Sequence, residues 1–327
     1  VKEPNSPYPL NVLWVYGVGG VGGYFGGKLA YSIEHNPGSA RRVFFIARGE
    51  HLDAIKQGGL ILNTAEQDGM RCMPYQATDR TEAIPDPDLC FLCVKGYDLY
   101  AAIHSLVGKV KKHTIIIPLL NGIDIHERVR KALKAGVVLP ACAYVGTHIE
   151  KPGTVTQKGA PGVILCGKDP ASRNFNHEPL IALFNAANIR FNWVDDPFPA
   201  IWEKYIFIAA FGLVTAYSEK TLGAVMVDLE LRGLVEKIMG EIVAIAEKKG
   251  ISLPAGIVKT SLGKANNFPF ETKTSYQRDI EAKGKRNEGD LFGGTIIRMG
   301  KEVAVPTPTT KFLYGEIEHR LGLPADQ

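Results

Sequence analysis

Asn11-Val12-Leu13-Trp14-Val15-Tyr16, then Gly17-Val18-Gly19-Gly20-Val21-Gly22, then Gly23-Tyr24-Phe25-Gly26-Gly27-Lys28-Leu29 is an apolar run, a glycine turn and a helix start. A dinucleotide's pyrophosphate binds at such a junction. The glycines allow a tight turn and close backbone approach to the phosphates, and the helix offers unpaired N–H groups at the positive end of its dipole. Gly17, Gly19, Gly20, Val21 and Gly22 are the expected cofactor contacts. With 35 glycines among 327 residues such a string arises easily by chance, so the order of the elements around it carries the weight.

Around this junction, short apolar runs at 12–16, 43–47, 88–94, 114–120 and 137–145 alternate with helical or loop stretches. That alternation implies βαβ crossovers and a mainly parallel sheet. Two further short strands at 153–157 and 162–166 suggest a final antiparallel part, followed by a helix near 178–187; the stretch 32–42, with Asn36-Pro37-Gly38-Ser39, is expected to be a loop. From Pro199 the character changes. Residues 201–217 are apolar nearly all round, the mark of a buried helix, and helical stretches follow at 225–249, 254–265, 274–284, 289–303 and 308–321, with a break at Val305-Pro306-Thr307-Pro308. The expected fold is α/β, a Rossmann-type mainly parallel sheet domain over 1–197 followed by an all-α C-terminal domain over 198–327. The two halves are expected to meet at a ligand-binding cleft.

Composition sets bounds on partners. A formal charge of +4 without a long Lys/Arg run does not argue for nucleic acid and mildly favours anionic ligands. No run approaches the ~18 apolar residues of a membrane span, and the opening segment 1–9 lacks a signal peptide's apolar core, so a cytoplasmic protein with no membrane partner is expected. The five cysteines form no dense framework. Cys90 and Cys93 have metal or redox spacing, but three apart on a strand they face opposite sides, and small buried hydrophobes are the preferred reading; no metal site is expected. A homodimer is compatible with the chain.

Several residues carry chemistry by position. The second strand ends at Ala47-Arg48-Gly49, where an NAD enzyme usually places an acid for the ribose 2′-hydroxyl. A guanidinium there would hold a 2′-phosphate instead; the competing reading is a solvated loop arginine. Lys95 and Asn121 follow the strands 88–94 and 114–120 at the sheet edge shared with the glycine turn, in reach of cofactor or substrate, or in ordinary turn roles. Lys204, in Trp202-Glu203-Lys204, stands at the edge of the buried helix, on a stripe with Ile208, Phe211, Gly212 and Thr215. Burial and a nearby carboxylate can tune such a lysine into a proton donor, or it can snorkel to water. Ser275, Asp279, Glu288 and Asp290 are polar positions on later helices and alone mean little.

In order, these segments resemble the ketopantoate reductase family, the NADPH-dependent 2-dehydropantoate 2-reductases. The resemblance rests on the glycine stretch 17–29, Ala47-Arg48-Gly49-Glu50-His51-Leu52, Val94-Lys95-Gly96-Tyr97-Asp98-Leu99, Leu120-Asn121-Gly122-Ile123, Trp202-Glu203-Lys204, Glu288-Gly289-Asp290, Arg298-Met299-Gly300 and Val305-Pro306-Thr307-Pro308. It implies reduction of a 2-keto acid, most simply ketopantoate to pantoate in pantothenate biosynthesis, with NADPH as cofactor. It implies that Arg48 binds the 2′-phosphate and that Lys95 and Asn121 lie near the nicotinamide, Asn121 also touching substrate. Lys204 would be the general acid, Glu288 would bind the substrate hydroxyl and support that lysine, and Ser275 would bind the substrate carboxylate.

One departure stands out. The family usually has asparagines one and two turns after the catalytic lysine, where this chain has Ile208 and Gly212. Each lost hydrogen bond is worth roughly 0.5–1.5 kcal/mol net, and Thr215 is the residue expected to compensate in part. One extra residue also separates Asp279 from Glu288 relative to the usual spacing. The alternatives are therefore an NADP-dependent dehydrogenase of another, more apolar keto or hydroxy acid, and a non-catalytic NADPH-binding sensor.

Overall fold

The computed structural model describes residues 10–322 except 173, 283 and 285. The opening segment 1–9, read above as lacking a leader, and residue 283 of the expected helix 274–284 lie outside the described residues. The chain forms two compact units, Val1–Leu120 with Ile125–Pro197, and Asn121–Asp124 with Phe198–Gln327.

The first unit holds β1 (Val12–Tyr16), α1 (Gly20–Glu34), β2 (Arg42–Ile46), α2 (Gly49–Gly58), β3 (Leu60–Asn63), β4 (Met70–Cys72), β5 (Gln76–Thr78) and β6 (Leu89–Leu92). It continues through α3 (Leu99–Leu106), β7 (Ile115–Pro118), α4 (Ile125–Ala132), β8 (Val137–Val138), β9 (Ala141–Lys151), β10 (Thr154–Gly167), α5 (Glu178–Ala186) and β11 (Arg190–Val194). Six strands form a sheet in the order β5-β2-β1-β6-β7-β8, every neighbour parallel. This is the Rossmann-type sheet that the alternation implies. The Asp88 carboxylate anchors its central strand, accepting from the amides of Asn11 and Val12 at 2.9 Å each.

A second sheet, β11-β10-β3-β4 with β9 antiparallel to β10, was only partly foreseen. The two short strands expected at 153–157 and 162–166 are one strand, β10, with a register shift between Lys158 and Val163. α1 packs against both sheets, which explains its glycines. A Cβ on Gly26 would lie 2.6 Å from Val15 of the first sheet, and one on Gly23 would lie 2.6 Å from Val155 of the second. Lys28 is buried and donates to the Asn188 carbonyl at 2.8 Å, tying α1 to the turn before β11.

Other boundaries shift for local reasons. The loop expected over 32–42 starts later, because α1 continues to Glu34. The strand expected over 137–145 splits into β8 and β9 at Leu139-Pro140, where proline has no amide to donate. Cys90 is buried and Cys93 partly so; burial pushes both thiols up.

The second unit is helical: α6 (Phe198–Ser218), α7 (Leu222–Val227), α8 (Leu229–Lys248), α9 (Ile257–Lys264), α10 (Ser275–Glu281), α11 (Thr295–Glu302) and α12 (Pro308–Arg320). α6 contacts α8, α9, α10 and α12, which is why it is apolar on nearly every face. Contrary to the sequence reading, α6 is long and apolar enough to cross a membrane by length and composition; 61% of that stretch is buried inside the protein, as in a core helix. The stretch 225–249 is broken at Asp228, whose carboxylate caps α8 by accepting from the amides of Glu230 and Leu231 at 3.1 Å each. The stretch 289–303 opens with a π-helical turn, Asp290–Gly294, before α11 begins.

Candidate active site

The glycine turn lies between the ends of β2 and β6. The Gly17 amide donates to the Ile46 carbonyl at 3.0 Å, and Gly17, with φ +94°, packs so closely on the backbone of Cys93 and Val94 that a Cβ would lie 2.8 Å from it. Gly19 is the extended N-cap of α1 and supplies no side-chain cap, and a Cβ added to it would meet open space. The N-terminal dipole end of a long helix is thus open at Gly19, while at Gly20 a Cβ would lie 2.7 Å from the Thr147 hydroxyl; the free helix end at Gly19 fits a pyrophosphate. Val21 is partly buried against the core behind this turn. A Cβ on Gly22 would lie 2.0 Å from the Gly17 carbonyl oxygen. Gly22→Ala is therefore expected to lower the melting temperature and to abolish dinucleotide binding, since overpacking costs about 1–3 kcal/mol or more. An unchanged melting curve with unchanged cofactor titration would contradict this path of the turn.

Arg48 lies two residues beyond β2 and is the N-cap of α2. Its side chain is 75% exposed, and the guanidinium donates at 2.6 Å to Asp98, whose side chain is 18% exposed. Lys95 caps the short 3-10 turn Gly96–Asp98 that follows β6 and is half-buried. Burial pushes the phenol of Tyr16, the last residue of β1, above its usual value, and the Asp98 charge adds to the shift. Asp98 was quoted within a motif but given no role; its signal would have been the meeting of two strand ends on either side of β1.

In the second unit, Lys204 Nζ donates to Asn121 Oδ1 at 2.9 Å, so two of the expected site residues, 83 positions apart, meet directly. The same short segment is held again at Asp124, whose carboxylate accepts from the Thr295 hydroxyl at 3.3 Å. Arg298 pairs with Asp290 and donates to Thr295 at 3.4 Å, which ties it to the residue that meets Asp124. Tyr205, next to Lys204, is buried and donates to the carbonyls of Leu291 and Phe292 at 2.6 and 2.9 Å. Those carbonyls belong to the π-helical turn, a form of helix frequent at functional sites. Glu288, 5% exposed, lies two residues before this turn, and its carbonyl accepts from the amides of Leu291 and Phe292. Tyr205 and Thr295 were missed by sequence reasoning, and only the motif around Arg298 pointed near them.

Other expected residues are placed differently. Thr215 is fully buried, and its hydroxyl is engaged with the Phe211 carbonyl at 2.7 Å and the Thr274 hydroxyl at 2.8 Å. It has no open face with which to compensate for the missing asparagines, which corrects the substrate-binding role expected of it. Ser275 is exposed at the first turn of α10, just after the N-cap Thr274. Ile208 is half-buried, whereas Gly212 is buried and a Cβ there would lie 3.6 Å from Tyr276 and 3.9 Å from Phe292. Aromatic rings thus border the position where the family usually has the second amide.

The chain matches the family model of ketopantoate reductase PanE/ApbA over residues 13–170, and the model of its C-terminal part over residues 198–320. A 2-dehydropantoate 2-reductase of Pyrococcus horikoshii is 27% identical over 316 residues, covering 95% of this chain and 98% of that protein. Among solved structures, a PanE/ApbA family ketopantoate reductase from Ralstonia eutropha is similar with TM-score 0.84 and 27% identity, covering 95% and 98% of the two chains. A D-mandelate dehydrogenase solved with NADH and anilino(oxo)acetate has the same fold, with TM-score 0.82 at 20% identity and the same coverage of 95% and 98%. With the glycine turn, the Lys204–Asn121 pair and both family models in register along one chain, the protein belongs to the ketopantoate reductase family, a family of oxidoreductases acting on CH–OH groups.

Proposed function

We propose that the chain is an NADPH-dependent reductase of a small 2-keto acid, with 2-dehydropantoate as the leading substrate and pantoate as the product. The observation that carries this reading is the Lys204 ammonium donating to Asn121 at 2.9 Å. A neutral amide acceptor orients an ammonium without taking its proton, which is what a general acid requires. NADPH, when bound, supplies the hydride for the carbonyl carbon. Lys204 donates its proton to the carbonyl oxygen as negative charge develops there, and the positive charge stabilises that oxygen before the transfer. Glu288 binds the substrate hydroxyl and supports the lysine; Ser275 binds the carboxylate. Gly17, Gly19, Gly20, Val21 and Gly22 hold the pyrophosphate, Arg48 the 2′-phosphate, and Lys95 with Asn121 the nicotinamide end.

A second reading has its own observation. Ile208 and the ring-bordered Gly212 favour a 2-keto acid with a larger apolar or aromatic group. NADPH consumption with 2-dehydropantoate, 2-oxoisovalerate and phenylglyoxylate separates the readings. Fastest turnover of 2-dehydropantoate is the expected result, and fastest turnover of phenylglyoxylate would favour the second reading. NADPH binding with no consumption on any 2-keto acid would overturn both in favour of a cofactor-binding sensor.

A further inference from the structure

We infer that Asp98 sets how strongly the chain discriminates NADPH from NADH, by holding Arg48 as a counter-ion in the cofactor-free protein and by opposing the charge of a bound 2′-phosphate. The inference rests on the reading of Arg48 as the 2′-phosphate residue.

Strand order makes the argument. β2 and β6 are the two neighbours of β1 and run parallel to it, so the segments leaving them emerge at the same edge as the glycine turn. Arg48 leaves β2 and Asp98 leaves β6, and their contact at 2.6 Å therefore bridges the end of β1. The backbone gives the same placement, since Gly17 bonds to Ile46 on one side and packs on Cys93 and Val94 on the other. The Asp98 charge also acts on Tyr16, the last residue of β1.

The two partners differ in freedom. The Asp98 side chain is 18% exposed and the Arg48 side chain 75%, so the carboxylate is the fixed end and the guanidinium the end that can turn toward a ligand. A 2′-phosphate must share Arg48 with this carboxylate or take it away, and it then lies near a like charge. A 2′-hydroxyl meets neither obstacle, and a carboxylate can accept its hydrogen bond. The chain lacks the usual acid after β2, and Asp98 brings one to the same edge from β6. The preference for NADPH is accordingly blunted rather than absolute.

Equilibrium titration of NADPH and NADH against the wild type, Asp98→Asn, Asp98→Glu and Arg48→Ala tests this. Asp98→Asn is expected to tighten NADPH roughly three- to tenfold, the scale of one screened charge contact, and to leave NADH unchanged or weaker. Asp98→Glu, which keeps the charge, should retain a ratio near that of the wild type. An equal change for both cofactors in Asp98→Asn would overturn the inference, because a disturbed 3-10 turn has no reason to sense a 2′-phosphate. If Arg48→Ala weakens NADPH while Asp98→Asn leaves it unchanged, the inference fails and the Arg48 reading stands. If Arg48→Ala leaves NADPH binding unchanged, the Arg48 reading fails first and the role of Asp98 falls with it.

Discussion

Lys204→Ala is expected to reduce turnover of the best 2-keto acid roughly 10²–10⁴-fold, the usual range for a general acid, while NADPH affinity stays close to that of the wild type. Reduction of a ketone leaves a basic oxygen that needs a proton and a positive charge as it forms. Lys204 offers both, and its ammonium is oriented by Asn121 at 2.9 Å. Since the interaction is strongest in the transition state, kcat and kcat/KM should fall together with a modest change in KM. Asn121→Ala should show a smaller loss of the same kind, because it disorients the donor without removing it. Near-normal turnover in Lys204→Ala would mean that the proton comes from elsewhere, and the role assigned to the start of α6 would be wrong.

Arg48→Ala should weaken NADPH binding with little effect on NADH. A charge-assisted contact to the 2′-phosphate is worth about 1.5–3 kcal/mol, roughly 10- to 150-fold in affinity. The lower end is expected here, because in the free protein the guanidinium already pairs with Asp98 at 2.6 Å and gives up that contact on binding. Unchanged NADPH affinity in Arg48→Ala would show that Arg48 serves only as the surface partner of Asp98.

The sequence made the first sheet legible because its central strands are apolar runs and its first turn is written in glycine. The second sheet was harder. β3 and β4 are only four and three residues long, and β3 is alternately buried and half-buried, too little pattern to separate from loop. What orders these short strands is the packing of α1 between two sheets, a tertiary cause that no local window contains. The π-helical turn at Asp290–Gly294 was hidden for a similar reason: the Tyr205 hydroxyl that meets two of its carbonyls comes from about 86 positions earlier in the chain.

In the candidate site, Lys204 and Asn121 were legible as a lysine on an apolar helix and a polar residue after a strand, and the fold brings them together. Thr215 was misjudged because helical spacing places it on the Lys204 stripe, whereas its burial is decided by α10, whose cap Thr274 meets its hydroxyl. Asp98 passed unnoticed because an acid in a turn is common, and only the parallel order β2-β1-β6 gives it a partner.

Hydride transfer to the carbon of a 2-keto acid is the central claim, and isotope transfer tests it most directly. The protein would be incubated with 2-dehydropantoate and NADPH carrying deuterium at the transferable C4 position, and the product acid analysed by mass spectrometry and NMR. The expected result is one deuterium on the carbon that bears the new hydroxyl, formed at a rate that falls in Lys204→Ala. Product without deuterium at that carbon, or no reduction of any 2-keto acid in the panel while labelled NADPH remains bound, would contradict it.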